Sequence, residues 1–306
     1  MLLAIACIFL FLGTEAVRYE YPTACQEQQS SPGYDHRRWN AARLAMGLPP
    51  VEFNSRQKEY VQKFFHKSHS SVVYNISNRP IRYVINWKAA NMNVRANLYR
   101  SERVSKGHRR KEASANHTLD VRYRDGITRS LVQKFGFTDI FDIPAFTFVR
   151  EPYSRFVSAL VEVYYRLHKK GSIKLQDGHV TAEIIEDDFR RLLDFGQAMN
   201  TAWMHIFPMA GILHAGAPEI IGLLESLPQG WGEVNQYYSL RMKFLNLSSH
   251  ASSSDTLGVR GALSTLFRNN SSFLKAICTL IEIDYICFPY YSLIASECKI
   301  LLINTW

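Results

Sequence analysis

Between residues 143 and 169 the chain changes its hydrophobic period. The stretch "IPAFTFVR" (143–150) is apolar almost throughout, the pattern of a strand buried on both faces. From Pro152 onward, Phe156, Leu160, Val163, Tyr164 and Leu167 recur at helical spacing, and Arg155, Ser158, Glu162 and Arg166 form a second stripe. Proline suits the first turn of a helix, because the N–H it lacks has no intrahelical acceptor there. The segment therefore reads as strand, tight turn and helix, with Arg150 at the strand's C-terminal end. Similar spacing predicts helices over 35–46, 55–67, 152–169, 181–198, 217–227 and 259–282, and within "SLVQKFGF". A second apolar strand is expected at 81–85, followed by a polar turn and by helical spacing at Val94 and Leu98, then by a charged loop over 102–118. Strands alternating with helices imply an α/β fold with a central parallel sheet covered by helices on both faces.

The start of the chain is different in kind. "MLLAIACIFLFLGTEA" holds a short apolar run ahead of Thr14 and Ala16, a spacing suited to cleavage after Ala16. The run is shorter than the roughly 20 apolar residues that span a bilayer. It is read as a signal peptide over residues 1–16, with a short anchor, and so membrane association through the N-terminus, as the alternative. Residues 17–75 then form an N-terminal extension and 76–300 the main domain. Asn-x-Ser/Thr patterns begin at Asn75, Asn116, Asn246, Asn269 and Asn270. Without Cys7, the cysteines are Cys25, Cys278, Cys287 and Cys298, an even set that allows two disulfides in any of three pairings. No cysteine pair has zinc-ligand spacing, and no metal is expected. These features point to the secretory pathway, as a Golgi-luminal, membrane-associated or secreted protein.

Charge narrows the partners. The formal net charge is +9, and loss of residues 1–16 removes one acid, Glu15, and no base. Such a surface favours anions, and "KGHRRKE" (106–112) is its densest cluster. In a luminal protein the matching partner is an acidic glycan rather than nucleic acid.

Arg150 offers a planar fork of donors where parallel sheets bind ligands, and Ser158 lies on the face that the turn leaves open, an arrangement able to clasp a phosphate. "FVREPYSRFVSAL" (148–160) resembles the 3′-phosphate segment of the membrane-associated, Golgi-type carbohydrate sulfotransferases, the family that includes the chondroitin sulfotransferases, at Arg150, Pro152, Arg155 and Ser158. Glu151 replaces the aspartate usual there. Upstream, "YVINWKAANMNVRANL" (83–98) resembles the family's 5′-phosphosulfate loop, with Lys88 as its lysine, Ala89 and Ala90 as its small residues and Asn91 as its small polar position. Asn86-Trp87 departs from the usual apolar residue and proline, and Met92 from the usual hydroxyl. Downstream, His205, Pro208, Gly222 and Glu225 match two further segments, with Met209 replacing a glutamine. Cys278, Asp284, Tyr285 and Phe288 match the C-terminal signature.

This resemblance covers roughly residues 80–290 and implies a P-loop-like three-layer fold. It also implies transfer of a sulfuryl group from PAPS (3′-phosphoadenosine 5′-phosphosulfate, a co-substrate) to a hydroxyl of a glycan or proteoglycan. Lys88 would neutralise the 5′-phosphate and assist its departure, while Arg150, Arg155 and Ser158 would hold the nucleotide. His205 is the candidate base, with His117 as a second and Glu225 as an orienting group. The alternative is a protein that keeps the fold, has lost transfer and binds acidic glycans, a reading fed by Met92 and Met209. A P-loop kinase or hydrolase would need Gly-x-x-x-x-Gly-Lys-Ser/Thr, which the chain lacks.

Overall fold

The computed structural model describes residues 31–65, 71–86, 91–105, 130–196, 201–245 and 255–288, with Cys25, Ala89 and Cys298. Its centre is a four-stranded sheet in the order β1 (Ser71–Ile76), β2 (Arg79–Val84), β3 (Ala145–Val149), β4 (Ile220–Leu223). β1 and β2 form an antiparallel hairpin, whereas β2, β3 and β4 run parallel. Ser77 and Asn78, both at positive φ, make the hairpin turn.

The alternation of the strands explains the layers. Ile81 and Tyr83 of β2 and Phe146 and Phe148 of β3 face one apolar cluster, shared with α3 (Asn91–Ser105) and α7 (Leu227–Tyr237). Val84, Ala145 and Val149 face the other and larger cluster. That cluster is built from α1 (Tyr34–Ala45), α2 (Ser55–Phe65), α4 (Pro152–Lys169), α5 (Ala182–Leu193), α6 (Met209–Gly216), α8 (Val259–Asn269) and α9 (Ser271–Cys287). An α/β protein with helices on both faces of a mainly parallel sheet is the result.

α4 occupies the expected range, but its polar stripe is split. Arg155 and Ser158 are buried under neighbouring elements, whereas Glu162 and Arg166 form a 2.7 Å ion pair near the surface. The helix expected over 217–227 is not formed. Residues 220–223 are β4, and a 3-10 turn, Leu224–Ser226, leads into α7. The β-branched pair Ile220-Ile221 favours a strand, and Gly222 decides the packing: a Cβ there would lie 2.4 Å from Phe148 Cε1. The single helix expected over 259–282 is two, because Asn270 caps α9 by accepting a hydrogen bond from the Phe273 N–H at 2.9 Å.

The N-terminal segment belongs to the core. Trp39 Nε1 and Arg43 both donate to the Leu193 carbonyl, and Arg38 pairs with the buried Glu282 on α9. The boundary expected at 75/76 falls inside β1. Of the three possible cysteine pairings, the structure has Cys25–Cys287 and Cys278–Cys298, consistent with an oxidising, secretory-type compartment. Among the described residues no helix is long and apolar enough to cross a membrane. The signal segment, the basic cluster at 106–112 and the sequons at Asn116 and Asn246 lie outside the described residues.

Two outcomes follow. Gly222→Ala forces the Phe148 ring to move within a packed layer, and should lower unfolding stability by about 1–3 kcal/mol in denaturant titrations. Asn75 is only 6 % exposed, in a strand whose N–H is bonded to Glu102. Peptide mass mapping of the folded, secreted protein should therefore find Asn75 without a glycan and the exposed Asn269 available.

Candidate functional site

Because β2 and β3 are adjacent and parallel, the turns that leave their C-terminal ends lie side by side. These are the two turns that carry the expected anion-binding residues. Two side-chain bonds tie the strands at this end: Thr147 Oγ1 donates to the Val84 carbonyl at 2.8 Å, and Asn86 Nδ2 donates to the Phe148 carbonyl at 2.9 Å. Asn86, which departs from the resembled motif, thus continues the strand pairing by its side chain, two residues past the end of β2. Its Oδ1 is buried and without a hydrogen-bond partner.

On the β2 side, Ala89 is fully buried and Asn91 is the first residue of α3. The α3 N-terminus is a place where backbone N–H groups and the helix dipole favour an anion. Lys88 and Ala90 lie outside the described residues, as does His117.

On the β3 side, the turn is tightly determined. Glu151 is the N-cap of α4, and its carboxylate accepts the N–H groups of Tyr153 at 3.0 Å and Ser154 at 2.6 Å. The Glu151 N–H donates to Glu225 Oε1 at 3.0 Å, so the residue expected to orient the site does hold this turn, from the end of β4. Tyr285 of α9 donates its hydroxyl to Glu151 Oε1 at 2.5 Å. Arg150, half-buried, stands at the mouth of this turn.

Arg155 plays a different part from the ligand contact expected of it. It is 0 % exposed, and its guanidinium donates to the Phe207 carbonyl at 2.5 Å and more weakly to the His205 carbonyl at 3.4 Å. Burial pulls its pKa down to about 10, opposed by the nearby Asp284 and reinforced by repulsion from Arg150. The guanidinium stays charged at neutral pH, balanced by Asp284. Arg155 therefore supports the site from inside, and the mutual repulsion places a second, outer cation, Arg150, close by. Ser158 is also covered, 3 % exposed, and His205 is 8 % exposed in the 3-10 segment Thr201–Ile206. Met209, where the resembled motif has glutamine, is fully buried and brings no polar side chain to the site.

Asp284 closes the arrangement. Its Oδ1 accepts the Ala210 N–H at 2.7 Å, at the start of α6. Burial pushes its carboxyl up to about 6, against the opposing pull of Arg155 and of the Met209 and Ala210 N–H groups. Sequence reasoning had matched Asp284 and Tyr285 to a signature without giving them roles. Their signal was the adjacency of two hydrogen-bonding residues near the end of a helix that is apolar around them, between Ile283 and Ile286.

No protein-family model, curated protein or solved structure matches the chain. The site's chemistry therefore rests on its own residues: half-buried Arg150 at the end of a parallel strand, the buried Arg155 behind it in α4, and a helix N-terminus beyond the neighbouring strand.

The raised carboxyl has a sign that can be checked. Asp284's folded pKa lies above the unfolded value, so its contribution to stability is full below about pH 4 and is lost as pH rises through about 6. Asp284→Asn should remove that slope from a plot of unfolding free energy against pH. At pH 7 the same variant leaves Arg155 without its balancing charge and should be destabilised by about 3–5 kcal/mol.

Proposed function

We propose that this protein is a PAPS-dependent carbohydrate sulfotransferase of the secretory pathway, with a P-loop-like arrangement of β2, the following turn and α3. One observation carries the reading: the segments resembling the 5′-phosphosulfate and 3′-phosphate motifs leave neighbouring parallel strands, joined by the Asn86 bond to the Phe148 carbonyl. The two disulfides and the basic charge agree with a luminal enzyme acting on a glycan or proteoglycan.

In the proposed reaction the acceptor hydroxyl oxygen attacks sulfur, and the bond from sulfur to the 5′-phosphate oxygen breaks in line. PAP leaves, and the hydroxyl proton passes to a base. The α3 N-terminus and Lys88 would meet the charge growing on the 5′-phosphate. Arg150 would hold the 3′-phosphate at the mouth of the turn, with Ser158 deeper along α4, while Arg155 keeps the floor in place through Phe207 and Asp284. His205 is the base candidate, and the acceptor must reach its ring past the cover it now has.

A second reading is a protein that retains this fold and binds acidic glycans without transfer. It is favoured by one observation, the burial of Met209 where a polar side chain would serve the site.

Calorimetric titration with PAP, and with AMP as the control lacking the 3′-phosphate, separates these readings. The transferase should prefer PAP strongly. Arg150→Ala should weaken PAP binding by about 10–100-fold, the loss expected for a charge-assisted contact, with an unchanged melting temperature. Equal binding of PAP and AMP, or undiminished PAP affinity in a folded Arg150→Ala protein, would sink the assignment.

A further inference from the structure

The β3–α4 turn spends its own helix N-terminus. Pro152 has no N–H, the Tyr153 and Ser154 N–H groups are bonded to the Glu151 carboxylate, and the Arg155 N–H is bonded to the Glu151 carbonyl at 2.9 Å. The first turn of α4 therefore offers no open backbone donor, unlike the helix starts that ordinarily hold phosphate. An anion at this turn must be met by side chains, above all Arg150, so its affinity depends on where the turn directs that arginine.

We propose that Tyr285 is the positioning residue of this turn and thereby sets selectivity for a 3′-phosphate. Its ring is 0 % exposed near the end of α9, two residues from the disulfide-bonded Cys287, so it is a fixed post rather than a mobile surface group. Its hydroxyl meets Glu151 Oε1, the same oxygen that accepts the Tyr153 N–H. Glu225, at the exit of β4, holds the Glu151 N–H. Glu151 is thus pinned from two other elements as well as from its own helix. Arg150 precedes it directly, so the backbone from which its side chain projects is set by these bonds. The neighbouring Asp284 extends the same control inward, through Ala210 and Arg155. A hydrogen bond to a charged group in a partly buried setting is strong enough to govern such a turn.

The choice of ligand here rests on the PAPS reading, whereas the holding of the turn does not. The test is Tyr285→Phe in the full-length, disulfide-bonded protein, which keeps the ring and removes only the hydroxyl. Two readouts are taken: affinities for PAP and AMP by calorimetry, and amide hydrogen exchange at Tyr153 and Ser154. The expected result is PAP affinity lower by about tenfold, AMP affinity within about twofold, and faster exchange at both amides. Loss of affinity for both nucleotides alike, or an unchanged ratio between them, would mean a role in stability only and overturns the proposal. Unchanged exchange at Tyr153 and Ser154 also overturns it. If the unsubstituted protein binds no PAP, the proposed function fails, and selectivity by Tyr285 fails with it. The exchange measurement then decides separately whether Tyr285 holds the turn.

Discussion

A fully buried guanidinium is the constraint around which this structure is organised. Arg155 has no water to satisfy it, so carbonyls and a counter-charge must converge on it. Phe207 and His205 supply the carbonyls and Asp284 the charge. Those groups come from α9 and the segment ahead of α6, and Arg155 itself comes from α4. Three elements that packing alone could arrange in several ways are thereby held in one relative position. Burying such a pair yields little net stability, yet breaking it is expensive. Its value here is placement, since the first turn of α4 is where Arg150 must be aimed.

The two arginines of "FVREPYSRFVSAL" therefore divide the work. One stands half-buried at the end of β3, and the other lies on the inward side of α4, close enough to raise the local positive potential. Spacing put Arg150 beside a ligand, whereas Arg155 was placed there only by the resemblance to the 3′-phosphate segment. What separates them is the depth of cover on α4, a property of the 3-10 segment Thr201–Ile206, α8 and α9 that no local pattern records.

Much of the architecture was legible where period and punctuation agreed. Pro152 and the apolar stripe through Leu167 marked α4, and the apolar run at 143–150 marked β3. Failures came where one residue carried long-range information. "EIIGLLESL" fits helical spacing, yet Gly222 is required by Phe148 on the adjacent strand, and only a sheet brings those two together. β1 was not anticipated, since "SVVYNI" resembles any apolar run until its hairpin partner is known. Within the site, no local pattern indicates that Glu225, Tyr285 and Asp284 converge on the Glu151 turn and the start of α6, because they come from β4's exit and α9.

The bond between Cys25 and Cys287 joins residues 262 apart in sequence. A chain that emerges from its N-terminus exposes the first of these sulfurs long before the second exists. The helix bearing Cys287 is also the one that supplies Tyr285 and Asp284, so neither the covalent closure nor the Glu151 turn can be completed before that helix is made. Until then Cys25 is a thiol among oxidants, open to mixed disulfides with the enzymes that exchange them. The pairing state of Cys25 therefore reports on whether the last helix, with Tyr285 and Asp284, has docked.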